Sequence, residues 1–337
     1  AAPVGVSDAL PEFVAGLLAG EAAEGLQRVL SALLASTRRI ADVLRADANA
    51  EQQHGGQNAF GDHQLAADVA TDEVVFEELE KCGAVTVASS EETPTERSLA
   101  GPAEGGFSVA FDPLDGSSIV GANFSVGTIF GVFPGRGFLN RTGREQCAAA
   151  VAVYGPRVTV ALALAAPAAA GGEARCVELS MVPRGGWLVT RERFSVAPEG
   201  KVFAPGNLRA TSDNPRYAAL VQHWISQRYT LRYTGGLVPD VYHILVKGKG
   251  VLSNASSPSA KAKLRLLYEC APIALVVEAA GGASCAAPSE AAEEGFAPVS
   301  LLDVPITHLE RRVGVAYGSA AEVQRFRDYL FGDGPPA

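Results

Sequence analysis

The chain reads as a layered protein of the α/β (α+β) class. Apolar residues recur at helical spacing near its start, middle and end. β-branched runs lie between these stretches, and several follow one another with no helix between. With 337 residues, 47% of them hydrophobic, it can bury one large core or two modest ones.

From Glu21 to Arg45, Leu26, Val29, Leu30, Leu33, Leu34, Ile40 and Val43 form one stripe, which predicts an amphipathic helix. Residues 46–58 are polar and contain glycine, so a loop is expected. A second helix is expected from Gly61 to Leu79, with Leu65, Val69, Val74, Val75 and Leu79 inward. Asp62 and Asp68 fall on it, and acids on a helix are ordinarily its solvated face. Ala84 to Ser89 reads as a short strand ending at Ser90-Glu91-Glu92-Thr93, and the Pro-, Gly- and Ala-rich residues 94–105 as a loop and candidate lid. FSVAF, from Phe107, is a buried strand; Thr128–Phe133 is another, closed by a turn at Pro134-Gly135. Between Cys147 and Ala165, VAVYG and VTVALAL give two strands, followed by the loop AAPAAAGGEA. Cys176–Met181, Gly186–Val189 and Arg193–Val196 are expected as further strands. Ala218–Tyr229 and Val241–Val246 read as helical. Lys261–Ala280 is the clearest late helix, stopped by Gly281-Gly282. Residues 283–297 are expected as a low-complexity surface loop, Val313–Tyr317 as a strand and Ala320–Leu330 as a closing helix.

A net charge of −9 argues against nucleic acid or an anionic membrane as partner. No apolar run reaches the ~18 residues that a spanning helix needs. The five cysteines (Cys82, Cys147, Cys176, Cys270, Cys285) are odd in number, scattered and without CxxC. That fits neither a zinc framework nor a disulfide scaffold and points to a reducing compartment. The opening AAPVGVSDAL lacks a basic-then-apolar signal pattern, and equally suits a mature chain from which a targeting peptide has been removed. The five histidines show no ligand spacing and read as structural or surface residues.

The chemistry concentrates between Gly106 and Gly131. Asp112-Pro113-Leu114-Asp115-Gly116-Ser117-Ser118 follows the FSVAF strand, so two carboxylates three residues apart leave a strand together, with the Leu114 carbonyl between them. Hard cations such as Mg2+ accept that oxygen set together with phosphate. Gly116, Ser117 and Ser118 add a tight turn, hydroxyls and free N–H groups where a phosphate can sit. The plainer alternative is a strand-to-helix turn with Asp as its cap. Three acidic groups stand in order, Asp62/Asp68, Glu91/Glu92 and Asp112/Asp115. Glu269, embedded in LRLLYECAPIALVV, needs a cation for company, because uncompensated burial of a carboxylate is expensive.

This order of acids resembles the lithium-sensitive, metal-dependent sugar-phosphatase superfamily, which includes fructose-1,6-bisphosphatase and inositol monophosphatase. More narrowly, FSVAFDPLDGSSIV, NFSVGTIFGVFPG, PGNLRATSDN, YTLRYTGGLVPDVY, SSPSAKAKLRLLYE and VAYGS look like the plastid sedoheptulose-1,7-bisphosphatase family, over most of residues 60–160 and 200–330. TGGLVPD and SPSAKAKLRLLYE are the discriminating pieces against fructose bisphosphatases.

The resemblance implies a layered α-β-α-β-α sugar-phosphatase fold with two mixed sheets. It further implies a metal- and phosphate-binding region at residues 1–200 and a sugar-binding region at 201–337, separate or in one continuous domain. Asp112, Asp115, Glu91 and Glu269, with the Leu114 carbonyl, match ligands of two or three Mg2+ (Mn2+ as an alternative), and Asp62 a ligand of the more weakly held third. Asp68 and Glu92 match the pair that holds and deprotonates the attacking water. Gly116, Ser117 and Ser118 match the 1-phosphate site. Asn214, Tyr217 and Tyr233 match the distal phosphate pocket, with Arg232 reaching it from a neighbouring subunit of a homodimer or larger assembly. Lys263 matches a lysine that contacts the sugar, although Lys263 and Arg232 alone would pass for solvated surface charges. Ser253 stands where fructose bisphosphatases carry a distal-phosphate tyrosine, a loss that suits a longer sugar.

The implied activity is Mg2+-dependent removal of the 1-phosphate of sedoheptulose 1,7-bisphosphate in the Calvin-Benson cycle, with a chloroplast-stromal location. A fructose or dual bisphosphatase is the alternative, and a silent sugar-phosphate sensor the non-enzymatic one. Clustered metals would also reconcile the negative charge with an anionic substrate. Plant members carry a thioredoxin-reducible CxxxxC pair before the FGD segment; Glu51 and Gly56 occupy those positions here, so the usual disulfide switch is expected to be missing. Gly121 replaces a carboxylate of the plant members, a departure without a physical account.

Overall fold

The computed structural model describes residues 8–46, 53–57, 63–102, 104–182, 185–289 and 296–332. In chain order, its early elements are α1 (Glu12–Ala15), α2 (Ala23–Ala46), β1 (Gln53–Gln57), β2 (His63–Leu65), α3 (Ala66–Cys82), β3 (Val85–Ser90), β4 (Arg97–Ser98), β5 (Phe107–Asp115) and α4 (Ser117–Val120). A meander follows, of β6 (Val126–Pro134), β7 (Ala148–Tyr154), β8 (Val158–Leu164), β9 (Arg175–Met181) and β10 (Trp187–Arg191). Then come β11 (Val202–Gly206), α5 (Pro215–Ser226), β12 (Thr230–Leu231), α6 (Leu237–Lys247) and β13 (Val251–Asn254). The chain closes with α7 (Ala271–Ala279), β14 (Ala283–Pro288), β15 (Val313–Gly318) and α8 (Ala320–Phe331).

Two mixed sheets organise the molecule. The eight-stranded one runs β10-β9-β8-β7-β6-β5-β3-β4, and its one parallel pair is β3 with β5. The five-stranded one runs β12-β11-β13-β15-β14, with β11 parallel to both its neighbours. Helices α2 and α3 cover one face of the large sheet, α6 and α7 fill the space between the sheets, and α5 and α8 cover the far face of the small sheet. The result is the α-β-α-β-α layering expected. Its central strands are buried along their length, apart from Pro134 at the end of β6, as a sheet covered on both faces requires.

The α2 stripe is legible because Leu26, Val29, Leu30, Leu33, Leu34 and Ile40 all go into the core. Other expectations need correction. The helix expected from Gly61 begins at Ala66, preceded by β2, and β2 pairs antiparallel with β1 inside the stretch read as a loop. The strand expected at Arg193–Val196 does not form, although Phe194 and Val196 are buried. Residues 283–288 are a buried strand, six residues paired with β15; ASCAAP has little β-propensity, and its place in the sheet is set by packing under α7 and α8.

The expected Lys261–Ala280 helix starts only at Leu266. Residues 261–264 are non-helical, Arg265 bridges to Arg312, and Leu266–Cys270 form a single π-turn before α7. Pro272 has no N–H for the regular i−4 bond and sits in the first turn of α7, where that loss is harmless. The turn before it widens, with the Cys270 amide reaching the Arg265 carbonyl at 3.0 Å.

Candidate functional site

β3 and β5 run parallel, so their ends deliver Glu91 and Asp112 to the same edge of the large sheet. Beyond β3 the chain turns through Ser90-Glu91-Glu92-Thr93: the Ser90 amide donates to the Thr93 carbonyl at 3.2 Å and the Glu91 amide to the Phe111 carbonyl at 3.0 Å. On β5, strict alternation would send Asp112 and Asp115 to opposite faces. The β5–β6 pairing is irregular between those two residues, where Pro113 cannot donate to the ladder. The irregularity re-aims the carboxylates so that both interact with Glu91.

The π-turn supplies the next acid. Glu269 is buried, and its carboxylate accepts from the Arg265 amide at 2.5 Å. One carboxylate oxygen each of Glu91, Asp112 and Glu269 lie within 4.8 Å of one another. Arg265, whose side chain is 5% exposed, places its guanidinium against Glu91. Asp112 also accepts from the Leu114 amide at 2.9 Å.

Asp115 is held from another direction. Its two oxygens accept from the amides of Leu237 (3.2 Å) and Val238 (2.6 Å) at the start of α6, where the helix dipole favours a negative charge. Gly127 lets α6 come this close, since a Cβ there would lie 2.4 Å from Val238. TGGLVPD has a matching role. Its Asp240 accepts from the amides of Thr234 (2.8 Å) and Gly235 (3.2 Å), and so folds the glycine turn onto the helix that faces Asp115.

These carboxylates repel one another in a dry place. Burial first, and then Glu91, Asp115 and Glu269, push the Asp112 carboxyl well above its ordinary range. Burial and Glu91 do the same to Glu269. Burial pushes Asp115 up to about 7 against the pull of the Val238 and Leu237 amides. Arg265, the one buried arginine among the described residues, does not neutralise this many acids, whereas a hard divalent cation that takes oxygen ligands does. The donor set therefore fits such a metal.

Among the remaining expected residues, Asp68 is buried in the first turn of α3 and Glu92 is half-buried on the turn beside Glu91. Asp62 lies outside the described residues. Gly116 adopts the left-handed conformation at φ +88°, which closes β5 and opens the single turn α4 with Ser117 half-buried and Ser118 exposed. Asn214 caps α5, accepting from the Tyr217 amide at 3.0 Å and donating to the Ser256 carbonyl at 2.8 Å. Tyr217 is fully buried, its hydroxyl 2.6 Å from the Gly206 carbonyl and 3.1 Å from the Ser253 hydroxyl. Arg232, Tyr233 and Lys263 are exposed. A cavity of about 90 Å3 has Asp115, Tyr233 and Ser253 among its lining residues, so one acid of the site and two of the residues expected on the distal side share it. Arg265 and Asp240 escaped sequence reasoning. The usable signal was a charged residue inside an apolar run, the argument that did find Glu269.

A sequence profile of the fructose-1-6-bisphosphatase N-terminal domain matches residues 10–173, and one of the C-terminal domain matches residues 196–331. The chain is 45% identical over 331 residues to the chloroplastic sedoheptulose-1,7-bisphosphatase of Chlamydomonas reinhardtii, covering 98% of this chain and 79% of that one. It is 35% identical over 279 residues to the class 1 fructose-1,6-bisphosphatase of Geobacter sulfurreducens, covering 82% of this chain and 83% of that one. Among solved structures, one assigned to a sedoheptulose-1,7 bisphosphatase of Toxoplasma gondii superposes with a TM-score of 0.83 at 35% identity, covering 97% of this chain and 98% of that one. Profiles, relatives and architecture agree: the chain belongs to the fructose-1,6-bisphosphatase family, with greater identity to the sedoheptulose-1,7-bisphosphatase compared than to the fructose-1,6-bisphosphatase.

Proposed function

We propose that the protein hydrolyses the 1-phosphate of sedoheptulose 1,7-bisphosphate to give sedoheptulose 7-phosphate, with Mg2+ as its metal. The observation that carries this reading is the convergence of Glu91, Asp112 and Glu269, with the nearby Asp115 lining a cavity that Ser253 also lines. When bound, two or three Mg2+ (or Mn2+ in their place) neutralise the phosphoryl oxygens and lower the pKa of water.

The chain's own groups have separate tasks. Glu91, Asp112, Asp115 and Glu269, with the Leu114 carbonyl and Asp62, hold the cations. Asp68 and Glu92 orient the attacking water and accept its proton. Gly116, Ser117 and Ser118 bind the 1-phosphate through amides and hydroxyls. Asn214, Tyr217 and Tyr233 form the distal side, with Arg232 contributed by the neighbouring subunit of a homodimer, and Lys263 contacts the sugar. Residues 1–200 then carry the metal and reacting phosphate, and 201–337 the sugar.

Ser253 supports the longer substrate. Its small side chain pairs with the Tyr217 hydroxyl and leaves the cavity open where a bulkier residue would fill it. The 45% identity to a chloroplastic relative supports a stromal location, and no helix among the described residues is long and apolar enough to cross a membrane. Phosphate release from the seven-carbon bisphosphate by the wild type and by Asp68→Asn tests the reading. Turnover that falls by ~100-fold or more in the variant is expected; equal turnover removes Asp68 from the chemistry. A fructose or dual bisphosphatase is the second reading, favoured by the match to both fructose-1-6-bisphosphatase domains.

A further inference from the structure

Asp72 is a buried carboxylate without a task in the chemistry above. It stands one helical turn beyond Asp68 on α3, hence on the same face of that helix. Its Oδ2 accepts from the Thr93 hydroxyl at 3.0 Å. Thr93 closes the turn that carries Glu91 and Glu92, and its amide donates to the Ser90 hydroxyl at 2.8 Å. Thr93 therefore links both ends of the Glu91-Glu92 turn to Asp72, its hydroxyl reaching Asp72 and its amide reaching Ser90. Helix α3 thus carries Asp68 in its first turn and, four residues on, bonds through Asp72 to the turn that holds Glu91 and Glu92.

We propose that Asp72 is a positioning residue, a clamp that fixes the Glu91-Glu92 turn relative to Asp68 through Thr93 and Ser90. Burying a carboxylate for packing alone would be a poor choice, since burial pushes its carboxyl up to about 6. The hydroxyl bonds give the cost a purpose: they set the angle of two neighbouring acids that must meet cations and water within a fraction of an ångström. The clamp rests on the reading of Glu91 as a ligand and of Asp68 and Glu92 as the base pair.

The test compares wild type, Asp72→Asn, Asp72→Ala, Thr93→Val and the Asp72→Ala/Thr93→Val double variant. Three quantities are read: Mn2+ affinity by calorimetry without substrate, kcat at saturating metal, and the melting temperature in chelator. Asp72→Ala and Thr93→Val are each expected to weaken Mn2+ binding by about tenfold and to lower kcat. The double variant should be no worse than either single one, and Asp72→Asn, which still accepts from Thr93, should keep wild-type Mn2+ affinity and kcat. Additive losses, or a lower melting temperature with unchanged Mn2+ affinity and kcat, would overturn the clamp. If the wild type proves inactive while the Mn2+ affinity still falls non-additively, the proposed activity fails and the clamp stands.

Discussion

Replacing Glu269 by glutamine should change the protein's stability with opposite signs in the absence and presence of divalent metal. Glu269, Glu91 and Asp112 bring oxygens within 4.8 Å of one another. At an effective dielectric of about 20, each pair of full charges at that distance repels by about 3 kcal/mol. Glutamine keeps an acceptor for the Arg265 amide and the side-chain volume, but gives up a charge-assisted bond worth about 1–2 kcal/mol. Because burial and repulsion push Asp112 and Glu269 up, proton uptake in the metal-free wild type already relieves about one of the two pairs that Glu269 makes, and the variant should therefore be more stable than wild type by about 1–2 kcal/mol. For a chain of 337 residues the unfolding entropy makes each kcal/mol worth about 1.4 °C, so the melting temperature in chelator should rise by about 1.5–3 °C. Wild type in Mg2+ at 100 times its dissociation constant should gain about 2.7 kcal/mol, or about 4 °C, and the variant much less. The two curves cross as metal is added. Differential scanning fluorimetry over a Mg2+ series reads the crossing directly. A variant that is less stable by the same amount at every metal concentration would refute the argument that these carboxylates are held together for a cation.

Further outcomes follow from the same geometry. Arg265→Met leaves Glu91 without its buried guanidinium and should cost about 3 kcal/mol in chelator, partly recovered by Mg2+; denaturant unfolding with and without metal checks it. Gly127→Ala drives a Cβ into Val238, whose amide holds Asp115, and should cost about 1–3 kcal/mol and weaken Mn2+ binding measured by calorimetry. Because burial raises the Asp72 carboxyl to about 6 from 3.8, its ionisation destabilises the fold: nothing is lost below pH 4, and the penalty grows through pH 4–6 and is complete above it. Asp72→Asn should accordingly match wild type at pH 4 and exceed it by about 2–3 kcal/mol at pH 7.5, a gap that chemical denaturation at the two pH values measures. Neither position that would carry the CxxxxC pair holds cysteine, so activity should be equal before and after dithiothreitol; a large activation by reductant would contradict this.

Much of the layering was legible because burial leaves a periodic mark. The α2 stripe and the β-branched runs of β7 and β8 predict their own elements, since each must bury a face or a whole strand. The misread stretches lack that mark or carry the wrong one. ASCAAP is a strand through its neighbours, and no local property of Ala and Ser would reveal it. LRLLYECAPIALVV has helical composition, but Pro272 and the Arg265–Arg312 bridge turn its start into a π-turn after an extended segment. In the site, Glu269 is legible as an acid inside an apolar run and Asp112 as one of two acids leaving a buried strand, whereas Glu91, on the turn after a strand, is a weak signal by itself. The irregularity at Pro113 that lets Asp112 and Asp115 share a site depends on pairing with β6, and the seat of Asp115 on α6 joins residues more than a hundred positions apart. Arg265 carries the same mark as Glu269, a charge between leucines, but its partner Glu91 lies 174 positions away and only the fold brings the two together.

The most direct test of the central claim is phosphate release from sedoheptulose 1,7-bisphosphate and fructose 1,6-bisphosphate, each with Mg2+ and with chelator. The account predicts metal-dependent release with kcat/KM strongly favouring the seven-carbon sugar. Equal rates on the two sugars would contradict the role given to Ser253, and no release from either would contradict the function itself.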